Sequence, residues 1–314
     1  MVNKLSQSGF RTVALVRDLA RADHLKEIAG VELIVGDLDG RERMAEAMRG
    51  CDAVFHLAAK VHAPPGTSET EFARVNVEGT RNVVEAAVEA EVANFVFFST
   101  VAVYPEGGEL FDEDSATTPA TAYGASKLAA EKIVLKSAMK ATVLRLPVVY
   151  GPRDRGNVAR LIDAIRRRRY FIVGDGANLK SMVAVENVVD AALLVANDER
   201  ARGQIYIVCD ERAYTQREIA ETIADAIGLN RRFPRLPLSA AMAIGRVADS
   251  VGKLTGFDLP ISANRIRKLS SNSRCSSAKI GRELGFKPRV TLREGLNEVC
   301  FERRSFSSRA SSPI

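Results

Sequence analysis

Several things this 314-residue chain lacks narrow what it can be. No apolar run approaches the ~20 residues that a bilayer-spanning helix requires. The opening MVNKLSQSG has neither the basic nor the apolar stretch of a secretory leader, so a cytoplasmic protein with no membrane partner is expected. The four cysteines, Cys51, Cys209, Cys275 and Cys300, are scattered and form no C-x-x-C pair, which fits reduced thiols rather than a disulfide framework. The three histidines, His24, His56 and His62, make no metal-ligand pattern with them, and no metal is expected. No internal repeat is visible.

What is present is ordinary in bulk and informative in detail. With 46% hydrophobic and 27% charged residues in 34.1 kDa, the chain can bury a large core. A formal charge of +6 and a pI near 9.2 suggest an anionic ligand or partner. Much of the visible excess lies in the arginines at 166–169 and in the tail FERRSFSSRASSPI. Those arginines end a periodic run (Val158, Leu161, Ile162, Ile165) and read as a solvated last helix turn, so nucleic acid is not the expected partner. The Ser/Arg-rich residues 303–314 read as a disordered basic tail.

Short β-branched runs alternate with helical periods, the pattern of a parallel sheet with helices on both faces. Strands are expected at 12–16, 31–35, 53–57, 95–99 and 141–146, with helices at 21–29, 41–49, 70–91 and 123–139. Beyond a change of texture at Tyr150-Gly151-Pro152, strands at 171–173, 182–185 and 204–208 interleave with helices at 158–168, 187–197, 215–227 and 239–254. A last unit has a helix at 277–284, the turn Gly285-Phe286-Lys287-Pro288 and a helix from Leu292. The expected fold is α/β: a Rossmann-like, doubly wound parallel sheet over residues 1–150, and a smaller mixed α/β substrate lobe over 151–302 interleaved with it.

Tyr123-Gly124-Ala125-Ser126-Lys127 opens one of these helices. Tyr123 and Lys127 at i, i+4 share a face, and a neighbouring ammonium favours the ionised phenol. A phenol tuned downward can exchange a proton with a substrate hydroxyl. The strand ending at Leu57, Ala58 and Ala59 presents small residues at the edge where open α/β sheets bind ligands.

Gly36-Asp37-Leu38, His56-Leu57-Ala58-Ala59, Asn76-Val77-Glu78-Gly79-Thr80, Ser99-Thr100 with Val103-Tyr104, and Tyr123 to Lys127 follow one another in order. So do Leu144-Arg145 with Val149-Tyr150-Gly151-Pro152, and Leu284-Gly285-Phe286-Lys287-Pro288 with Glu294-Gly295-Leu296. Together they resemble the extended short-chain dehydrogenases/reductases of the NAD-dependent epimerase/dehydratase family over roughly residues 5–300. The resemblance implies a catalytic set of Thr100, Tyr123 and Lys127, with Ser99 as the alternative to Thr100; Thr100 stands four residues before Tyr104, where the family has a hydroxyl that can both donate to and accept from the reacting oxygen. It places a cofactor against Asp37, Leu38, Leu57, Ala58, Ala59, Asn76, Tyr123, Lys127 and Pro147, with Asp37 toward the adenine and Lys127 on the nicotinamide ribose. It implies a nucleotide-sugar substrate bound through Thr100, Asn157, Lys180 and Arg267, with Arg265 as the alternative to Arg267. Lys180 stands where the family has an arginine, which keeps the charge without the bidentate fork. Val148 stands where many sugar epimerases carry Asn. A homodimer through helices 70–91 and 123–139 is the family's usual assembly.

Against that pattern, the family's opening strand and G-x-x-G-x-x-G turn are missing, and the first nine residues read as the second half of the helix that follows them. The absent strand would lie between 12–16 and 53–57, leaving two edges unpaired. A chain starting at Met1 is therefore expected to fold poorly and bind cofactor weakly, and a start codon assigned at an internal methionine is the favoured explanation. For the cofactor, Arg17 leans toward the 2′-phosphate of NADP and Asp18 toward NAD. The expected reaction is hydride transfer at C4 of a nucleotide-diphosphate sugar, as epimerase or dehydrogenase. The alternatives are a reductase of a steroid- or flavonoid-like carbonyl compound and an inactive dinucleotide-binding remnant.

Overall fold

The computed structural model describes residues 1–61, 68–107, 110–139, 141–154, 156–230, 232–255 and 262–309, so His62 and the end of the expected tail lie outside the described residues. The first half runs α1 (Val2–Gln7), β1 (Thr12–Val16), α2 (Leu19–Ala22), β2 (Val31–Val35), α3 (Arg41–Met48), β3 (Ala53–His56), α4 (Glu69–Phe72) and α5 (Gly79–Glu89). It continues through β4 (Asn94–Thr100), β5 (Leu110–Phe111), α6 (Ala122–Lys136), β6 (Thr142–Leu146) and β7 (Val148–Tyr150). The second half runs α7 (Asn157–Arg166), β8 (Ile172–Val173), β9 (Leu179–Lys180), β10 (Met182–Ala184), α8 (Val185–Asn197), β11 (Ile205–Ile207) and β12 (Tyr214–Thr215). It ends with α9 (Gln216–Ala226), β13 (Arg235–Leu236), α10 (Leu238–Thr255), α11 (Ala263–Ser270), β14 (Arg274–Cys275), α12 (Ala278–Leu284) and α13 (Leu292–Arg309).

The central sheet is four parallel strands in the order β11-β6-β4-β3, and β1 and β2 form a separate parallel pair. Among the described residues β1 pairs only with β2 and β3 only with β4, the discontinuity anticipated between them. The two sheets still share a core, because Leu15 of β1 packs into the cluster that holds Val54 of β3. Alternation along β4 explains the double winding. Val96 and Phe98 face α8 and α12, while Phe95 and Phe97 face α5 and α6. The same period carries Ser99, and Arg145 of β6, onto the α6 face. A second core forms where α7, α9 and α13 bury Ile162, Ile165, Ile219, Ile223 and Leu296 around Tyr150.

Two expected helices and the expected tail differ. The first of them, 21–29, is instead α2 followed by a 3-10 turn at Asp23–Leu25, because the Asp18 carboxylate accepts from Ala20 N at 2.9 Å and starts the helix early. The long helix expected at 70–91 contains a π-helical segment, Ala73–Glu78, and ends at Glu89. The tail expected to be disordered from 303 continues α13 to Arg309. Arg303 ties that end to Asp163 of α7 at 2.6 Å, and Glu302 accepts from the backbone of Arg153.

Candidate active site

The four strands of the central sheet run parallel, so Leu57, Thr100 and Pro147 follow strand ends on one edge. Helix α6 delivers Tyr123 and Lys127 to the same place. Its N-cap is Thr121, whose hydroxyl accepts from Gly124 N at 3.1 Å and fixes where the first turn begins. Gly124 then lets the helix lie directly on the loop after β4: a Cβ there would stand 2.2 Å from the carbonyl oxygen of Ala102.

That close approach brings Thr100 to Tyr123. Thr100 ends β4, its hydroxyl accepts from Ala102 N at 3.1 Å, and it lies near enough to the Tyr123 phenol to draw the phenol's pKa downward. Ser99 points to the other face and donates to Glu131 Oε1 at 2.5 Å. Of the two candidate hydroxyls, Thr100 is therefore the one beside the phenol.

The tuning of the phenol runs opposite to expectation. Burial pushes Tyr123 above its ordinary value, and the hydrogen bond with Thr100 pulls it back only in part. Lys127 does not lower it because the ammonium is itself desolvated. Its side chain is buried, with Nζ 3.9 Å from the centroid of Phe97, and burial lowers its pKa to about 7 against the opposing charge of Glu131. Near neutrality Lys127 is thus poised between charged and neutral forms.

Two polar networks hold these groups, the first of which the sequence reading did not anticipate. In the first, Glu131, one turn beyond Lys127, accepts from Arg145 Nε at 3.0 Å and Nη2 at 2.7 Å, with both side chains buried. Arg145 also donates to Tyr104 Oη at 2.7 Å, and Tyr104 donates to the carbonyl of Asp112 at 2.7 Å. A charged residue in the apolar strand TVLRL was the available signal.

In the second, Asn76 sits in the π-helical segment and is 1% exposed, which excludes a solvent-facing role. Its side chain accepts from Lys60 N at 2.7 Å and donates to Lys60 O at 3.0 Å and Ser126 Oγ at 2.9 Å. Ser126 in turn donates to Tyr123 O at 2.8 Å, so Asn76 joins the loop containing residues 57–59 to the turn that carries the phenol. The hydroxyl hydrogen of Thr80 goes to Asn76 O at 2.7 Å, which leaves His56 Nε2, 3.0 Å from Thr80 Oγ1, as a donor. Burial, and secondarily the charge of Lys127, lowers His56 to about 3, so it is neutral.

The remaining expected residues are dispersed. Arg17 is exposed after β1, with the neighbouring Asp18 occupied in capping α2. Asp37 is exposed, and its carboxylate accepts from Asp39 N at 3.1 Å. Leu38 packs on Gly79 and its carbonyl accepts from Asn82 at 2.8 Å, a structural use of that residue. Leu57 is 53% exposed at the strand end, Ala58 is exposed beside it, and Ala59 and Pro147 are half-buried. In the second lobe Lys180 donates to the carbonyl of Lys268 at 2.8 Å, at the last turn of α11, and burial lowers its pKa to about 8. This sets Lys180 beside the helix that carries the exposed Arg265 and Arg267. Asn157 is exposed at the start of α7, which packs on α9 rather than on α11. Lys268 also pairs with Glu106 at 2.7 Å, linking α11 to the loop that follows Thr100.

Comparison with known proteins agrees with this geometry. The family model for the NAD dependent epimerase/dehydratase family matches residues 1–209. The chain belongs to that family. It is 31% identical over 308 residues to a 4-hydroxy-2-methyl-3-oxo-4-farnesyl-3,4-dihydroquinoline-1-oxide ketoreductase of Stigmatella aurantiaca, covering 95% of this chain and 91% of the relative. It is also 31% identical to an N-acetyl-alpha-D-glucosaminyl-diphospho-ditrans,octacis-undecaprenol 4-epimerase of Escherichia coli O157:H7, covering 84% and 81%. The solved structure of MoeE5 in complex with UDP-glucose and NAD superposes with a TM-score of 0.75 at 27% identity, over 97% of this chain and 94% of that one.

NAD is accordingly the cofactor of the family and of its solved neighbours. The residues present fit its nicotinamide end: a buried, partly neutral lysine, a phenol and a hydroxyl converge beside an exposed strand edge. They do not supply its pyrophosphate end among the described residues. Gly9, which precedes β1, is used to close α1 with a φ of 79°, and no glycine-rich turn faces the edges of β1 and β3.

Proposed function

We propose that this family member interconverts a secondary alcohol and a ketone at C4 of a sugar carried on a diphosphate, using Thr100, Tyr123 and Lys127. The observation that carries the reading is the meeting of the Thr100 hydroxyl with the Tyr123 phenol, one helical turn from a buried lysine. With its pKa held up by burial, the Tyr123 phenol donates its proton to the sugar oxygen as hydride arrives at C4, and in the reverse direction the phenolate so formed takes the hydroxyl proton back as the hydrogen on C4 leaves as hydride. Thr100 orients the same oxygen, and Lys127 sets the electrostatics behind the phenol. NAD supplies the hydride acceptor and, for an epimerase, the donor for return to the opposite face. Asp37, residues 57–59, Lys127 and Pro147 would hold it. Arg267 and Lys180 would face the diphosphate, in keeping with relatives named for diphosphate-linked and nucleotide sugars.

A second reading, reduction of a hydrophobic ketone, draws support from Lys180, whose ammonium already donates to the Lys268 carbonyl, and from one relative being a ketoreductase. A single experiment separates the two. UDP-glucose, UDP-N-acetylglucosamine and a polyisoprenyl-diphosphate-linked N-acetylglucosamine are each incubated with NAD, and a farnesylated cyclic ketone with NADH. Turnover of a sugar substrate, lost in Tyr123→Phe with nucleotide binding retained, is the expected result. Turnover confined to the ketone overturns the sugar assignment, and full turnover by Tyr123→Phe overturns the catalytic one.

A further inference from the structure

The positive charge of this chain is not spread over it. Residues 231–270 contain eight Lys/Arg against two Asp, a surplus of six that equals the formal charge of the entire sequence. The rest of the chain, including the arginines at 166–169 and the basic tail, is balanced by its own acids. Within that segment α10 and α11 hold five Lys/Arg against one Asp, and three further arginines precede α10.

These helices pack on each other through one face. Gly245 of α10 lies against α11 so closely that a Cβ would meet Ala263 N at 2.7 Å and Ile266 Cδ1 at 2.8 Å. Ala241 is 1% exposed on the same side, next to Ile266 and Val173. Asp249, the acid of α10, is turned inward as well, accepting from Ala263 N at 3.1 Å. What α10 leaves outside is apolar. Ile244 (48% exposed), Val247 (64%) and Val251 (41%) recur at i, i+3 and i+7 and form one stripe, with Leu238 exposed at the start of the helix. Arg246 is exposed on α10, and Arg265 and Arg267 are exposed on α11.

We infer that the α10–α11 face docks on an anionic lipid bilayer surface, with the aliphatic stripe at the acyl boundary and the surrounding cations at the headgroups. An apolar helical stripe flanked by Lys and Arg, low in acid, has the composition that lies in a membrane interface. No helix among the described residues is long and apolar enough to cross a bilayer, so the contact is peripheral. Charge selects this occupant over the others. A two-fold contact with a second copy would set the same cationic surplus against itself. Nucleic acid would want aromatic platforms for its bases, and neither α10 nor α11 contains a Phe, Tyr or Trp. The absence of a spanning run, from which no membrane partner was expected, does not bear on a surface contact. The inference holds for either carbonyl chemistry at the site, and it would bring an amphiphilic substrate to the lobe that contains Lys180.

The test uses the full chain, sedimented with vesicles of phosphatidylcholine alone and of phosphatidylcholine with phosphatidylglycerol, at low and high salt. Binding to the anionic vesicles, weakened by salt, is expected. Arg246→Glu should weaken it by more than about fivefold, since one cation near such a surface is worth about that factor and the variant also adds an acid. Val247→Asp should weaken it by at least about tenfold, because it places a charge within the aliphatic stripe. Val247 is exposed, so the melting temperature of Val247→Asp serves as the folding control, and Val247→Ser is the milder variant. No vesicle binding, equal binding to neutral vesicles, or binding indifferent to both Val247 variants overturns the inference. So does a dimer of the parent chain that Val247→Asp converts to monomer without any lipid effect.

Discussion

Lys127 holds its charge where the protein opposes it, and this makes a sharp prediction about stability. The ammonium is buried at the sheet edge, over the ring of Phe97, with His56 kept neutral nearby and the Glu131 carboxylate shared with Arg145. Its pKa falls from an ordinary 10.5 to about 7. Between those two values the unfolded chain holds a proton that the folded chain has released. Unfolding free energy therefore rises with pH through that window, and below about pH 7 the full cost is present. At about 1.4 kcal/mol for each pH unit of the difference, that cost is on the order of 5 kcal/mol.

Lys127→Met keeps the length of the side chain and removes the charge. The variant should be more stable than the parent at pH 6, by about 2–5 kcal/mol once imperfect packing is allowed for. It should lose the rise in stability between pH 7 and 9 and, on the proposed function, lose turnover. Urea unfolding followed by circular dichroism at a series of pH values reads the first two directly. A variant less stable than the parent at pH 6, or one that keeps the parent's pH slope, would refute the desolvation argument. Either result would mean that the folded state neutralises Lys127 more fully than its burial indicates.

Two further substitutions test how the site is held. Gly124→Ala places a methyl 2.2 Å from the Ala102 carbonyl, so α6 must retreat from the loop that follows Thr100. A stability loss of about 1–3 kcal/mol and a fall in kcat of at least about tenfold with little change in the KM for NAD are expected; wild-type kcat would show that the close approach is dispensable. Arg145→Met leaves Glu131 buried without its partner and should lower the unfolding free energy by about 3–5 kcal/mol. Adding Glu131→Leu to it should recover most of that loss in a denaturant melt, whereas additive losses would show that the pair acts elsewhere.

Much of the fold was legible because it rests on periodicity. The runs at 12–16 and 31–35 became β1 and β2 at those bounds, and the alternation in NFVFFST put opposite residues of β4 against opposite helical layers. Apart from β8, which falls in the strand expected at 171–173, the two-residue strands and α11 were not anticipated. Leu110–Phe111 and Arg274–Cys275 become strands only by pairing with partners 164 positions away, and α11 is short and mostly polar, stabilised by packing on α10. The resemblance named Thr100 ahead of Ser99, and in the structure the two lie on opposite faces of β4, since a one-residue step along a strand reverses the face. The phenol's tuning was misread because helix spacing gives the distance between Tyr123 and Lys127 but not the dielectric around them. The sequence carries burial only indirectly, and burial decides the sign.

That difference locates what specifies the site. A tyrosine and a lysine four apart arise in many helices, and the spacing alone does no chemistry. Here the pair matters because three other features fix the helix around it. Gly124 removes the side chain that would keep α6 from Thr100. Glu131 and Arg145 clamp the next turn to β6, and Ser99 adds a hydrogen bond from β4 to the same carboxylate. Asn76 ties the strand-end loop to the backbone of Tyr123 through Ser126. Each of these is a buried polar contact or a steric absence, the kind of feature whose loss costs several times what an exposed contact would. Geometry at the reacting oxygen is therefore set by residues that need never touch the substrate. On the proposed function, the determinants of substrate choice are to be sought in the second lobe, where Lys180, α10 and α11 lie, apart from the contacts that hold Thr100, Tyr123 and Lys127.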